Sequence, residues 1–296
     1  MTATHTRKEQ SSLFGGDESE VEIFQRIFSP FWVDYPVGKT VLKHFRQIYM
    51  QPKTHRPQCC LLIGEPAAGK TTLAKHFLRT INPADKPKDE AKSMPVVFVQ
   101  SPPKADTAAL YTQILRNVGA PFQPSWQIPR KQDQVLQILT RLGTRMLIID
   151  ELHAMLAGHL SDRSVYMNVL KFLSNELQIP LIGIGTKDVN RAIQTDQQFG
   201  NRFEPITLVP FKVGKTYVRF MVQVCKHAEF HDIDIIQDEA FVRRVHTMTK
   251  GSVGETWRLV CRLVYFAETE GNGGLTMGML DKIDWTMPTL RRRLAT

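Results

Sequence analysis

Residues Gly64-Glu65-Pro66-Ala67-Ala68-Gly69-Lys70-Thr71 space two glycines, a lysine and a hydroxyl as G-x-x-x-x-G-K-T. The pattern suits phosphate chemistry. Small residues let successive backbone N–H groups curl around phosphate oxygens, and a following helix N-terminus favours negative charge. Lys70 can then reach the β- and γ-phosphates, Thr71 offers a hydroxyl to Mg²⁺, and Thr72 continues the first helical turn. A second constellation is Met146-Leu147-Ile148-Ile149-Asp150-Glu151, an apolar run closed by paired carboxylates. Asp150 is a candidate to hold Mg²⁺ through water and Glu151 to polarise an attacking water, unless the pair only caps the next helix. Thr186, after Gly183-Ile184-Gly185, is a candidate to sense a γ-phosphate or orient water. Arg202, in Asn201-Arg202-Phe203, could reach the γ-phosphate of a neighbouring subunit and so make hydrolysis depend on assembly.

These residues work only if secondary structure carries them to one place. Cys59–Ile63 has the look of a buried strand, and Thr72–Leu78 has helical spacing with Leu73, Phe77 and Leu78 on one face. Further strand-like runs are Pro95–Gln100, Met146–Asp150, Pro180–Gly185 and, more weakly, Pro205–Val209. Between them lie helical patterns at Thr107–Val118, Lys131–Leu142 and Ser164–Leu177. Continuous apolar strands alternating with helices predict an α/β fold, a parallel five-stranded sheet flanked by helices. Ligands of such sheets bind beyond the carboxyl ends of the strands, where both motifs sit. From Val213 onward the patterns are helical only: Tyr217–Phe230, Asp238–Thr249, Gly254–Thr269 and Met277–Trp285. The expected division is an arm with leading helices over 1–55, a nucleotide-binding core over 56–210, a small α-helical lid over 211–290 and a basic tail over 291–296. Within the first of these, residues 1–20 read as a mobile arm, and 82–92 read as an exposed loop.

With 42% hydrophobic residues in 296, the chain can bury a full core. No apolar run approaches the ~20 residues that span a membrane. The first residues have no signal-peptide pattern, so a cytoplasmic location is expected. Cys59, Cys60, Cys225 and Cys261 have no C-x-x-C spacing and read as apolar fillers in a reduced compartment. The formal charge of +9 favours polyanionic partners, nucleic acid first. No Asn-Lys-x-Asp guanine-reading signature follows the fourth strand, so the expected nucleotide is ATP, with Mg²⁺.

The extra strand between the P-loop strand and the acidic strand, with Glu151 after Asp150, is the pattern of catalytic-glutamate AAA+ ATPases. Taken with Leu152-His153, Gly183-Ile184-Gly185-Thr186, Asn201-Arg202-Phe203 and Gly251-Ser252-Val253-Gly254-Glu255, the chain resembles the TniB/TnsC family of DNA-transposition ATPases. The bacterial IstB and MuB regulators are near neighbours of that pattern. The resemblance implies an ATP-dependent homo-oligomer, a ring or filament on double-stranded DNA, that links a TniQ-like target selector, sometimes with a CRISPR effector, to a DDE transposase. It also implies that hydrolysis lets the assembly turn over. By the same resemblance, DNA backbone contacts fall on Lys104 and on the Gln123–Lys131 loop with Arg130 and Lys131. Tyr35 and Pro36, ahead of the first core helix, are candidates to pack on adenine. Family lids carry a sensor arginine right after the glycine turn. Here Glu255 stands there, and Arg258 is the candidate one turn later. Two other function classes remain open, a helicase loader or initiator and a nucleotide-gated recruitment adaptor.

Overall fold

The computed structural model describes residues 18–82, 93–156, 159–194, 200–270 and 273–294. Most of the expected arm over 1–20 and of the loop over 82–92 therefore lies outside the described residues. The chain divides into two compact units, one formed by Val37–Val209 and the other by the segments ending at Pro36 and beginning at Pro210. The expected leading region over 1–55 is thus split: its first helix packs with the C-terminal helices, and its second belongs with the sheet.

In chain order the first unit carries α2 (Pro36–Tyr49), β1 (Cys59–Gly64), α3 (Lys70–Ile81), β2 (Val96–Gln100), α4 (Thr107–Val118), α5 (Ile128–Arg141), β3 (Met146–Asp150), α6 (Leu160–Leu177), β4 (Leu181–Gly185), α7 (Lys187–Gln194) and β5 (Phe203–Leu208). A 3₁₀ turn, Leu152–Leu156, follows β3. The five strands form one sheet in the order β2-β3-β4-β1-β5. Every pairing is parallel. β1, β3 and β4 are buried throughout, as strands covered on both faces must be. β5 lies at the edge, buries only Phe203 and Leu208 at its ends and tolerates Pro205, whose missing donor costs nothing on an outer strand. It starts at Phe203, opposite Cys59, two residues before the apolar run suggests.

α4 begins where Asp106 accepts the Ala109 N–H and ends at left-handed Gly119. α5 begins at Ile128, not Lys131, because Pro129 fits a first helical turn whose N–H groups are unpaired anyway. The loop expected over Gln123–Lys131 therefore stops at Gln127, and Arg130 and Lys131 are helical. By register Leu61, Ile63, Val97, Leu147 and Ile149 share one face of the sheet, where they form a core with Leu110 of α4 and Leu170 of α6.

The other unit is helical: α1 (Glu18–Phe28), α8 (Lys215–His227), α9 (Glu239–Thr249), α10 (Val253–Thr269), α11 (Met279–Lys282) and α12 (Pro288–Leu294). Ile27 of α1 is buried with Tyr217, Phe241, Leu259 and Leu263. Arg26 also reaches Glu268, and the Tyr265 hydroxyl donates to Glu20 at 2.6 Å. The helix expected over Met277–Trp285 shrinks to α11, and Arg291-Arg292-Arg293 belong to α12 instead of a tail.

Candidate nucleotide site

The phosphate-binding loop leaves β1 at Gly64, where an added Cβ would lie 3.2 Å from the Cβ atoms of Ala68 and Leu208. Glu65 and Pro66 are exposed, and the Ala68 N–H donates back to the Glu65 carbonyl at 3.2 Å. Ala67 (φ 59°) and Gly69 (φ 87°) both hold left-handed backbone. For Ala67 that conformation is disfavoured by its own Cβ, and it turns the loop's N–H groups inward. Gly69 caps α3 with no side-chain acceptor. The first N–H groups of the helix, at Lys70, Thr71 and Thr72, therefore remain available to an anion.

Lys70 Nζ donates to the Gly64 and Glu65 carbonyls at 2.8 and 2.9 Å, so the lysine folds across its own loop. Burial pushes its ammonium below the ordinary lysine value, opposed by the carboxylates of Glu151, Asp150 and Glu65. A cation that is partly stripped of water and held across the loop beside the free N–H groups of the helix start suits a polyphosphate. Glu65 is itself 3.8 Å from Lys187 at the start of α7.

Asp150 ends β3, one strand beyond the neighbour of β1, and is 4% exposed. Its Oδ2 accepts the Thr71 hydroxyl at 2.6 Å, and its Oδ1 accepts the Glu151 N–H at 2.8 Å. A hydroxyl and one carboxylate are hard oxygen donors of the kind Mg²⁺ takes, with phosphate and water completing its shell. Among the described residues no group of three His, Cys, Asp or Glu side chains forms an all-protein cage. The donor set thus fits an ion that is shared with a bound nucleotide.

Glu151 leaves the strand with φ 54°. Its carbonyl accepts the Ala154 N–H at 2.9 Å, and its Oε2 lies 3.1 Å from His153 Nε2. The turn seats against β4 because Gly183 has no side chain. A Cβ there would lie 2.7 Å from Leu152 Cδ2, and one on Gly185 would lie 2.9 Å from Val189 Cγ2. Thr186 is half-buried and follows Gly185, whose register partner is Ile63 of β1. The C-terminal ends of β3, β4 and β1 are consecutive in the sheet, so the loop, Asp150-Glu151 and Thr186 share one edge.

Arg202 does not share it. Its carbonyl accepts the Cys59 N–H at 2.9 Å at the opposite end of β1, and its Nη1 donates to Asn175 Oδ1 of α6 at 2.8 Å. The length of β1, about 16 Å at ~3.3 Å per residue, separates it from Gly64. It cannot serve the phosphate loop of its own chain.

The remaining predicted residues are scattered. Lys104 is exposed after β2, with no hydrogen bond or ion pair among the described residues. The Arg130 guanidinium lies 4.2 Å from the Trp126 ring centroid. Lys131 is only 5% exposed and donates to the Pro124 carbonyl at 3.1 Å, so it holds the preceding loop instead of presenting a free charge. Tyr35 is buried in the helical unit with ring centroids 5.6 Å from Phe211 and 6.3 Å from Phe220, and its hydroxyl has no hydrogen-bond partner among the described residues. Those neighbours occupy its ring against the expected adenine stack, and Pro36 opens α2. Arg258 pairs with buried Glu255 at 3.3 Å, as does Arg291. Two contacts had no assignment from the sequence, His153 on Glu151 and Asn175 on Arg202. The Asp-Glu-x-His spacing was the available signal for the first, and nothing local announced the second.

A profile of bacterial TniB proteins matches residues 24–213. No curated protein sequence matches the chain. Among solved structures, the chain is similar to the ORC2 protein of Aeropyrum pernix in its ADPNP-ADP complexes, with a TM-score of 0.62 and 16% identity over 87% of this chain and 70% of that one. It is similar to Cdc6p of Pyrobaculum aerophilum, with a TM-score of 0.58 and 16% identity over 85% and 68%. It is also similar to the Aeropyrum pernix ORC1 protein solved in complex with DNA, with a TM-score of 0.61 and 14% identity over 88% and 68%. At such identities these likenesses establish the fold, that of AAA+ P-loop ATPases. With the profile covering well over half of its length, the chain belongs to the TniB family.

Proposed function

We propose that this TniB protein is an ATP-dependent regulator of DNA transposition that assembles on duplex DNA. In this reading it links a TniQ-like target selector to a DDE transposase, and hydrolysis ends the assembly. The observation that carries the nucleotide chemistry is the meeting of Thr71 and Asp150 at 2.6 Å beside the Lys70 loop. Lys70 and the first N–H groups of α3 bind the phosphates, and Glu151 takes the proton of the attacking water. Thr71 and Asp150 would hold Mg²⁺, which when bound neutralises phosphate charge. Thr186 orients the water or the γ-phosphate.

Arg202 supports the oligomeric part of the reading. It lies a strand's length from its own phosphate loop, so it is useful to hydrolysis only if it reaches a neighbour's γ-phosphate. Family membership supports transposition as the process, and the excess of basic residues suits a DNA backbone. Exposed Lys104 and Arg130 are the candidate phosphate contacts. A second reading, an initiator or helicase loader, draws on the likeness to ORC and Cdc6 proteins, which at 14–16% identity extends to the fold only.

Electron microscopy of the protein with duplex DNA and a non-hydrolysable ATP analogue tests the proposal. Rings or helices around DNA that need the analogue and are lost in Lys70→Ala are expected. Dispersed monomers under all conditions refute assembly. Assemblies that load a helicase but ignore transposase favour the second reading.

A further inference from the structure

We infer that His153 is a positioning residue that restrains Glu151 in a resting arrangement and thereby sets a low basal rate of hydrolysis. The inference rests on reading Glu151 as the carboxylate that activates water.

The ring nitrogen Nε2 lies 3.1 Å from Glu151 Oε2, while Nδ1 is buried and has no hydrogen-bond partner among the described residues. That asymmetry fixes the tautomer. A proton on Nδ1 would be a buried donor with nothing to bond, which costs more than an unfilled acceptor lone pair. The neutral ring therefore carries its proton on Nε2 and donates it to Glu151. An oxygen that already accepts from the ring has one lone pair fewer for a water proton, and its carboxylate is tethered to the turn it belongs to. The tether is local and reversible, because both side chains are less than half exposed, at 42% and 43%, yet neither is enclosed.

The turn also touches the rest of the site. Glu151 sits in left-handed backbone, and the 3₁₀ residues after it run against the end of β4, where a Cβ on Gly185 would lie 3.6 Å from the His153 N atom. Gly185 immediately precedes Thr186. A shift of the β4 end on nucleotide engagement would therefore press on Val189 and on the His153 backbone, and through the latter reach the ring that holds Glu151.

The test measures steady-state kcat and KM for ATP, together with equilibrium nucleotide affinity, in wild type, His153→Ala, His153→Phe, His153→Gln and Glu151→Gln. Loss of one hydrogen bond to the carboxylate should raise kcat about three- to tenfold in both His153→Ala and His153→Phe. KM and affinity should stay within about twofold, because the ring touches neither Lys70 nor the loop. His153→Gln, whose amide can donate to the same oxygen, should return kcat towards the wild-type rate. Should His153→Ala fail to fold, His153→Phe carries the comparison. An unchanged or lower kcat in the donor-free variants, with Glu151→Gln inactive, overturns the restraint and leaves the parent reading standing. A wild type that does not hydrolyse ATP, or a fully active Glu151→Gln, overturns the parent reading and this inference with it.

Discussion

The Thr71 hydroxyl donates to Asp150 Oδ2 at 2.6 Å, joining the first turn of α3 to the last residue of β3. The two residues are 79 apart in sequence, and one strand, β4, lies between β3 and the β1 strand that leads into the loop. This bond registers the phosphate loop against the carboxylates, so their neighbours Lys70 and Glu151 serve one site and should fail differently.

Lys70→Ala should lower ATP affinity by roughly 30- to 100-fold, the loss expected when a charge-assisted contact to phosphate is removed. Glu151→Gln should bind ATP as tightly as wild type while kcat falls at least about a hundredfold. Fluorescent-nucleotide titration and phosphate release separate the two outcomes, and equal losses of affinity in both variants would contradict the roles assigned.

Arg202 gives a test of assembly that needs no imaging. Arg202→Ala should bind ATP normally but lose about a thousandfold or more in assembled hydrolysis. Mixing it with Lys70→Ala should restore part of the activity, because one variant supplies an intact loop and the other an intact arginine. No recovery at any mixing ratio would argue against a role in trans. Asn175→Ala, which frees the Arg202 side chain, should leave ATP binding by the single protomer unchanged.

Lys104 and Lys131 should separate when each is substituted in turn. Lys104→Glu is expected to weaken duplex binding and reduce its salt slope by about one, read by fluorescence anisotropy at several salt concentrations. Lys131→Ala should instead cost about 1 kcal/mol of stability through loss of its bond to Pro124, with DNA affinity little changed. Thermal unfolding measures the second effect. Equal effects of both variants on DNA affinity would reassign Lys131.

Alkaline pH should destabilise the fold. Burial raises Tyr35, Tyr111 and Tyr166 from the ordinary value of 10.0 to about 12. It also raises Cys225 from 9.0 to about 12 and pushes Cys60 up. The unfolded chain releases these protons first, so above the unfolded values it binds fewer protons than the native state and stability falls as pH rises. Denaturant midpoints should hold below about pH 9, decline above it and steepen past about pH 10 as the tyrosines join. A midpoint that is flat to pH 11 would contradict this burial.

Where reasoning from sequence succeeded, the signal was contiguous. The strand, loop and helix around Lys70 are neighbours in the chain, and Asp150-Glu151 end an apolar run that only a buried strand explains. It faltered where a side chain's environment comes from elsewhere. Lys131 reads as a loop charge, yet Pro129 lets the helix start early and turns the lysine onto Pro124. Tyr35 reads as free to stack, yet Phe211 and Phe220, far along the chain, enclose it.

The chain by itself therefore determines the kind of chemistry, because phosphate binding and water activation need particular residue types at short, fixed spacings. Tertiary structure alone decides which of those residues meet. Parallel pairing carries Gly64, Asp150 and Gly185 to one sheet edge and sends Arg202 to the other. Packing against Gly183 and Gly185 fixes the turn in which His153 holds Glu151. Such relations depend on strand order and on the volume left by missing side chains, and neither is written in any local stretch of sequence.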